Sequence, residues 1–353
     1  MAKATSQPES AKAVEARKRE HIQIPLKQDV SFQTKTNLFE DVVLFHNALP
    51  ELNRNEVNTN TSFLGHKFSA PLFISGMTGG AKEAAIINKN IAKACQKLGL
   101  GMGVGSMKAM LVEPSLTYTY QVRDVAPDIF LAGNIGANDL RHFSIKQLKE
   151  ALKTIGADVL AVHLNSAQEL VQKEGQAEFK GVLAAIEKYS EAIPIFVKEV
   201  GQGISGEVAK RLSKTAIKAI DVAGAGGTNW IKIEYMRRGL DNPPFQDWGI
   251  PTALALIQAS KTTKLPLIAT GGIRTGEEIV KALILGATLS ATALPALLTG
   301  NQNDEAVTEK LQSLVKEVGD VMFLLGAKNI TELKKIKPVI KGLLKELDSS
   351  QTS

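Results

Sequence analysis

The chain has 353 residues, 44% of them hydrophobic and 22% charged, with a formal net charge of +6, which is ordinary globular material for one large barrel or two smaller domains. A single cysteine, Cys95, excludes an internal disulfide or a cysteine-rich zinc site and fits a reducing, cytoplasmic interior. The lysines are spread over helix faces and gathered at both ends without interleaved aromatics, so nucleic acid is not an expected partner. With 5% aromatic residues, the core is expected to consist of Val, Ile, Leu and Ala, which suits a parallel α/β protein. Met1 to Glu20 holds no apolar core region, and the longest apolar run, Ala282 to Leu298, is broken by Gly286, Ser290, two threonines and Pro295. Neither a secretion leader nor a membrane span is therefore expected.

Residues 1–16 are polar and alanine-rich, and are expected to be a mobile tail. Arg17-Lys18-Arg19-Glu20-His21 follows, a run that read alone is a solvated face. Asp41 to His66 is loop-rich, with strand-like Asp41 to Leu44, and 17–69 reads as an arm packing across the barrel before it begins and contributing substrate-binding residues. From Ala70 the alternation is regular. The expected strands are Pro71–Met77, Gly101–Gly105, Ile129–Asn134, Asp158–His163, Pro194–Val200, Ala219–Val222, Pro266–Thr270 and Ala287–Ala293. Expected helices include Ala84–Leu98, Ser144–Ile155 with a Ser144/Gln147 capping box, Gly206–Lys214, Pro251–Ala259 and Gly276–Leu285. An irregular insertion, Ile231 to Trp248, interrupts the pattern where barrels keep substrate lids. Helices Glu305–Leu325 and Ile330–Leu347 are expected to close the barrel and supply subunit contacts. The division is thus a tail over 1–16, an arm over 17–69, a (β/α)8 TIM barrel over 70–328 and a helical extension over 329–353.

In such a barrel the polar residues at strand C-termini are the site candidates, because side chains fill the interior below them. Those ends give Met77, Thr78, Ser106, Lys108, Asn134, His163, Asn165, Gln168, Glu169, Lys198, Thr228, Gly272 and Arg274. The set holds amides, cations and glycines, no nucleophile paired with a base, and one obvious metal carboxylate, Glu169. Gly271-Gly272-Ile273-Arg274 turns a strand into a helix, where bare backbone N–H groups, the helix dipole and a guanidinium suit a phosphate. Lys198, Asn134 and the ends of strands one and two are equipped to hold a flat heteroaromatic ring by its edge. Phosphate and ring together describe FMN. A structural ion pair of Lys198 with Glu199 or another acid is the competing reading of that lysine.

His163-Leu164-Asn165-Ser166-Ala167-Gln168-Glu169 closely resembles the His-Leu-Asn-x-x-Gln-Glu signature of type 2 isopentenyl-diphosphate isomerase, an FMN-dependent family. The resemblance extends through Arg17-Lys18-x-x-His21, Met77-Thr78-Gly79-Gly80, Val104-Gly105-Ser106, Gly201-x-Gly203-Ile204-Ser205, Gly226-Gly227-Thr228-Asn229-Trp230, Trp248-Gly249-Ile250-Pro251-Thr252 and Gly271-Gly272-Ile273-Arg274. It implies FMN contacts at Met77, Thr78, Ser106, Asn134, Lys198, Thr228, Gly271, Gly272, Arg274, Ala293 and Leu294. It implies a prenyl diphosphate substrate held by Arg17, Lys18, Ser106, Lys108, Asn165 and Gln168, and Mg2+ on Glu169. His163, Gln168, Trp230 and Glu234 fall around the reacting prenyl group and its diphosphate. The implied reaction, in isoprenoid biosynthesis, converts isopentenyl to dimethylallyl diphosphate with reduced FMN, NADPH serving as reductant, in a cytoplasmic homo-oligomer, tetramer or octamer.

Two departures stand out: the family has Gln-Arg where this chain has Met107-Lys108, and Pro-Leu where it has Ser166-Ala167. Lysine offers phosphate a point charge in place of a fork, so weaker or rearranged diphosphate contacts are expected. The alternative reading is an FMN-dependent 2-hydroxy-acid oxidase or dehydrogenase. That chemistry needs a histidine base and a nearby arginine after strand six, where this chain has Ala223-Gly224-Ala225-Gly226-Gly227-Thr228.

Overall fold

The computed structural model describes residues 11–241 and 244–350. Residues 1–10 of the expected tail lie outside the described residues, while its remainder belongs to helix α1, Ala11–Lys27. Eight short strands follow: β1 Leu72–Ile74, β2 Gly101–Gly103, β3 Leu131–Gly136, β4 Val159–His163, β5 Ile195–Lys198, β6 Ala219–Asp221, β7 Leu267–Ala269 and β8 Leu289–Thr292. Each pairs in parallel with the next, and β8 returns to β1, so the sheet is a closed barrel. The main helices are α2 Lys82–Leu98, α3 Ile145–Ile155, α4 Ser166–Val171, α5 Trp230–Arg237, α6 Gly276–Ile284 and α7 Asp304–Leu324. The strands are shorter than their apolar runs because the flanking residues already belong to the turns.

Side-chain direction alternates along every strand. Leu72, Ile74, Leu160, Val162, Ile195, Val197 and Ile220 face outward and pack with the helices in one apolar core. Phe73, Ala132, Val159, Ala161, Phe196, Ala219, Ile268, Leu289 and Ala291 form a second cluster inside the barrel. This second cluster departs from the expected aliphatic core. A hairpin, Thr61–Phe63 with His66–Phe68, brings Phe63 and Phe68 under the strands, where their rings lie 5.6 and 5.8 Å from that of Phe130. Phe73 completes the floor against Phe130 at 6.1 Å and Phe196 at 6.5 Å. The alanines on neighbouring strands leave the volume that these rings fill, so the few aromatics are concentrated at the closed end and any cavity must open at the strands' C-termini.

Local rules hold where the chain alone decides. Ser144 caps α3 and Gln147 reaches back to the Ser144 N–H at 2.8 Å, as expected. Cys95 is fully buried in α2, and burial pushes its thiol pKa up, so it is an inert core residue. Two expectations fail. The insertion after β6 begins as a regular helix, α5, whose Ile231, Ile233 and Glu234 are all buried, so no single apolar stripe reveals it. The last expected helix breaks into Ile330–Leu333 and Gly342–Ser349, with Val339–Ile340 paired antiparallel to Val42–Val43 between them. Pro338 cannot continue a helix, Gly342 has φ +55°, and the Asp41 carboxylate accepts the Leu344 N–H at 3.0 Å.

Candidate active site

Two residues beyond the inward apolar positions, the alternation places polar side chains on six strands: Ser75 past β1, Asn134, His163, Lys198, Asp221, and Thr270 past β7. His163 is registered opposite Lys198, and Lys198 opposite Asp221. Above this layer opens a cavity of about 660 Å³. Met77, Thr78, Ser106, Lys108, Asn134, His163, Asn165, Gln168, Glu169, Lys198, Thr228, Trp230, Gly271, Gly272, Arg274, Ala293 and Leu294 line it, with Arg17 and Lys18 of α1. Residues spread over nearly 280 positions of sequence therefore meet at one opening.

The Asn134 amide oxygen can only accept, so the His163 Nδ1 at 2.7 Å carries the proton and Nε2 keeps a lone pair. Burial, reinforced by the charges of Lys198, Lys18 and Lys108, lowers the pKa of His163 to about 3. It is a neutral imidazole. The Lys198 ammonium donates to the Glu199 backbone carbonyl at 2.5 Å, and the Glu199 carboxylate turns away to accept N–H groups of Val200, Gly201 and Gly203 at 2.7, 2.6 and 3.1 Å. No Lys198–Glu199 side-chain pair forms. Asp221, fully buried, accepts the Ala223 N–H at 3.2 Å through Oδ1, while Oδ2 has no partner among the described residues. Sequence reasoning passed over Asp221; its signal was a lone acid in an otherwise apolar strand.

The loops after β6 and β7 meet backbone to backbone. A Cβ on Gly227 would lie 2.4 Å from the Gly272 nitrogen, and one on Gly271 2.0 Å from the Gly224 oxygen. Gly271 and Gly272 also have φ of +114° and +74°, which L side chains rarely adopt. Arg274 lies over this seam, 3.3 Å from the Gly272 oxygen and 3.5 Å from that of Gly226. Asn37 of the arm ties it down, donating to the Gly272 oxygen at 2.9 Å and to Glu278 at 2.7 Å. A bare-backbone cradle with one guanidinium suits a phosphate, and the nearly buried Lys198 and Asn134 suit the edge of a polar ring, so the cavity fits FMN.

Glu234 differs from the other candidates, because it is fully buried behind the cavity and does not line it. Its carboxylate accepts from His21 at 2.9 Å, Gln168 at 2.9 Å and Arg237 at 2.6 Å. Burial opposes its ionisation, but the bonds from His21 and Gln168 and the charge of Arg237 hold its pKa at about 2. Gln172, with its amide turned to satisfy both neighbours, donates to Glu234 at 3.1 Å and accepts from Arg17 at 3.2 Å. The His21 ring stands edge-on to Trp230, centroids 5.2 Å apart, so α1 is docked on α5 beside the cavity.

Glu169 projects from α4, accepting from Asn165 at 2.9 Å and from the Gln176 N–H at 2.7 Å. Among the described residues no group of three or more His, Cys, Asp or Glu is placed to hold a metal ion. A magnesium ion at Glu169 would therefore need ligand phosphates and water for its remaining positions, which is how Mg2+ is usually held. In the Met107-Lys108 departure, Met107 is fully buried in the core and does not line the cavity, so its lack of a donor does not reach a ligand there. Lys108 does line it, 2.7 Å from Asp139, a partner that sequence reasoning missed.

A family model described as FMN-dependent dehydrogenase matches residues 10–117 and 149–337. The isopentenyl-diphosphate delta-isomerase of Thermococcus kodakarensis is 44% identical over 346 residues, covering 94% of this chain and 92% of that protein. The enzyme of the same name from Halobacterium salinarum is 42% identical, covering 96% of this chain and 97% of its own. The chain belongs to the FMN-dependent, type 2 isopentenyl-diphosphate isomerase family. Membership accounts for the strand-four signature and for the glycine cradle in one cavity. Solved structures share the fold alone: a mandelate oxidase has a TM-score of 0.65 at 15% identity, covering 96% of this chain and 100% of that one. A lactate oxidase from Pediococcus acidilactici has a TM-score of 0.64 at 16% identity, covering 95% and 96%. Within the family frame, the oxidase alternative loses its ground, since the loop after β6 offers backbone and Thr228 to the cavity but no histidine or arginine. No helix of the described residues is long and apolar enough to cross a membrane.

Proposed function

We propose that this protein interconverts isopentenyl and dimethylallyl diphosphate, using FMN in its reduced form and Mg2+, with NADPH as the source of electrons. The observation that carries the reading is the meeting, in one cavity, of a glycine cradle after β6 and β7, the Asn165–Gln168–Glu169 signature and the cations of α1. Reduced FMN, when bound, supplies an electron-rich ring and an exchangeable proton. Everything else falls to the chain. Arg274, Gly271, Gly272, Ala293 and Leu294 take the cofactor phosphate; Lys198, Asn134, Met77, Thr78, Ser106 and Thr228 hold the ring. Arg17, Lys18 and Lys108 face the substrate diphosphate, and Glu169 brings Mg2+ to it.

An unactivated alkene is a poor base, and its protonation places positive charge on carbon, so the prenyl end needs a dry and electron-rich wall. Trp230 provides such a face, steadied by the edge of His21. His163 is held neutral, and so adds no positive charge where a cation forms. Glu234 acts through others: it fixes the Gln168 amide and His21 while keeping its own charge away from the cavity. Assembly as a homo-oligomer in the cytoplasm belongs to the same proposal.

The test is spectroscopic, then chemical. The purified protein should be yellow and inert when oxidised, and should isomerise anaerobically after reduction by NADPH or dithionite. Turnover should proceed without stoichiometric use of reductant, and the prenyl diphosphates should take up deuterium from D2O. Full-rate isomerisation by the oxidised protein, or bleaching of its flavin by a 2-hydroxy acid with peroxide formed in air, would sink the proposal.

A further inference from the structure

We infer that Asp139 sets the affinity of this cavity for diphosphates by holding Lys108 in a neutral pair, an inference that rests on the prenyl-diphosphate reading above. Asp139 sits in the single turn Ala137–Leu140 that follows β3, and Lys108 begins the short helix Lys108–Val112 after β2. Their side chains meet across the strand ends, with Lys108 Nζ 2.7 Å from Asp139 Oδ1. Both line the cavity, and both are largely shielded from water, at 31% and 18% side-chain exposure. The acid is also fixed in place. A Cβ on Gly136 would stand 3.0 Å from Asp139 Oδ2 and 3.3 Å from His163 Nε2, so the carboxylate is wedged against the strand end.

The consequence is electrostatic. A diphosphate that draws on Lys108 must share the ammonium with a carboxylate already in hydrogen-bond contact, and that carboxylate repels the incoming phosphate oxygens in a partly dry site. The other acids lining the cavity are differently occupied: Glu169 accepts an amide and a backbone N–H, and Glu174 pairs with Arg237 at 3.3 Å. Asp139 thus subtracts from the attraction of Lys108 itself. Because reactant and product carry the same diphosphate, the subtraction weakens ground state and transition state alike, and should register in KM rather than kcat.

Asp139→Asn keeps the shape of the side chain and removes its charge. With the FMN-loaded protein, the KM for isopentenyl diphosphate and the dissociation constant of inorganic pyrophosphate, measured by calorimetry, should both fall about twofold to fivefold, the range of a partly exposed charge pair. In a Lys108→Met background the same substitution removes only the direct repulsion between carboxylate and phosphate and frees no ammonium, so its gain should be clearly smaller than with Lys108 present. Retained flavin absorbance shows that each variant is folded, and Asp139→Ser serves in place of a variant that loses it. Unchanged or weaker pyrophosphate binding in Asp139→Asn, or an equal gain without Lys108, overturns the inference. Pyrophosphate binding needs no turnover, so a protein that fails to isomerise yet binds pyrophosphate more tightly without Asp139 would refute the substrate reading and leave this one standing.

Discussion

His163 ends β4, and Glu169 follows in α4. The pKa of His163 lies below its unfolded value of 6.5, at about 3, so the folded protein resists a proton that the unfolded chain accepts. Its contribution to stability is complete above pH 6.5 and is lost as the pH falls toward 3. Melting temperatures from pH 7 to pH 4 should therefore fall more steeply for the natural protein than for His163→Gln, and parallel curves would show that the imidazole is not held neutral. Glu169 presents a carboxylate to the cavity with one bond to each oxygen. Glu169→Gln should lose most activity while FMN absorbance persists; an unchanged magnesium dependence in that variant would refute the metal role.

At the scale of elements, α1 has few intrinsic reasons to be where it is. It carries Pro25 inside and shows little amphipathic character, so tertiary contacts must hold it. Those contacts converge on Glu234 of α5, which takes His21 of α1 and its own neighbour Arg237, while Arg237 reaches Glu20 of α1 at 2.9 Å. Glu234→Gln leaves Arg237 with the more exposed Glu20 and Glu174 only, so the cost belongs at the low end for breaking a buried pair, about 2–3 kcal/mol. The cut should appear first in α1: limited proteolysis near Arg17 and Arg19 should accelerate, with KM rising as the helix-borne cations are released. A variant equally resistant to protease would mean that the helix is anchored elsewhere.

At the scale of the whole molecule, the barrel has a dry phenylalanine floor and a wet, charged mouth, and stability and chemistry are divided between them. Phe130 touches Phe63, Phe68 and Phe73 and is 4% exposed. Phe130→Ala should cost about 3–5 kcal/mol, read as a lower melting temperature of the FMN-loaded protein, while the KM of the surviving folded fraction stays put. A changed KM with unchanged melting would reverse that division. The strand order, the helix starts at Ser144 and Gly276, and the glycine turn at Gly271-Gly272 were legible in the sequence, because alternation, capping and positive φ are dictated within a few residues. The strand-four signature was legible for the same reason: it is one contiguous segment at a strand end. The orphaned oxygen of Asp221, the pairing of Lys108 with Asp139 and the placement of Glu234 behind the cavity were not. Each depends on which strands become neighbours and on how far each side chain is removed from water. Those are set only when the barrel closes, because burial and charge pairing are properties of the space between distant segments and not of the segments themselves.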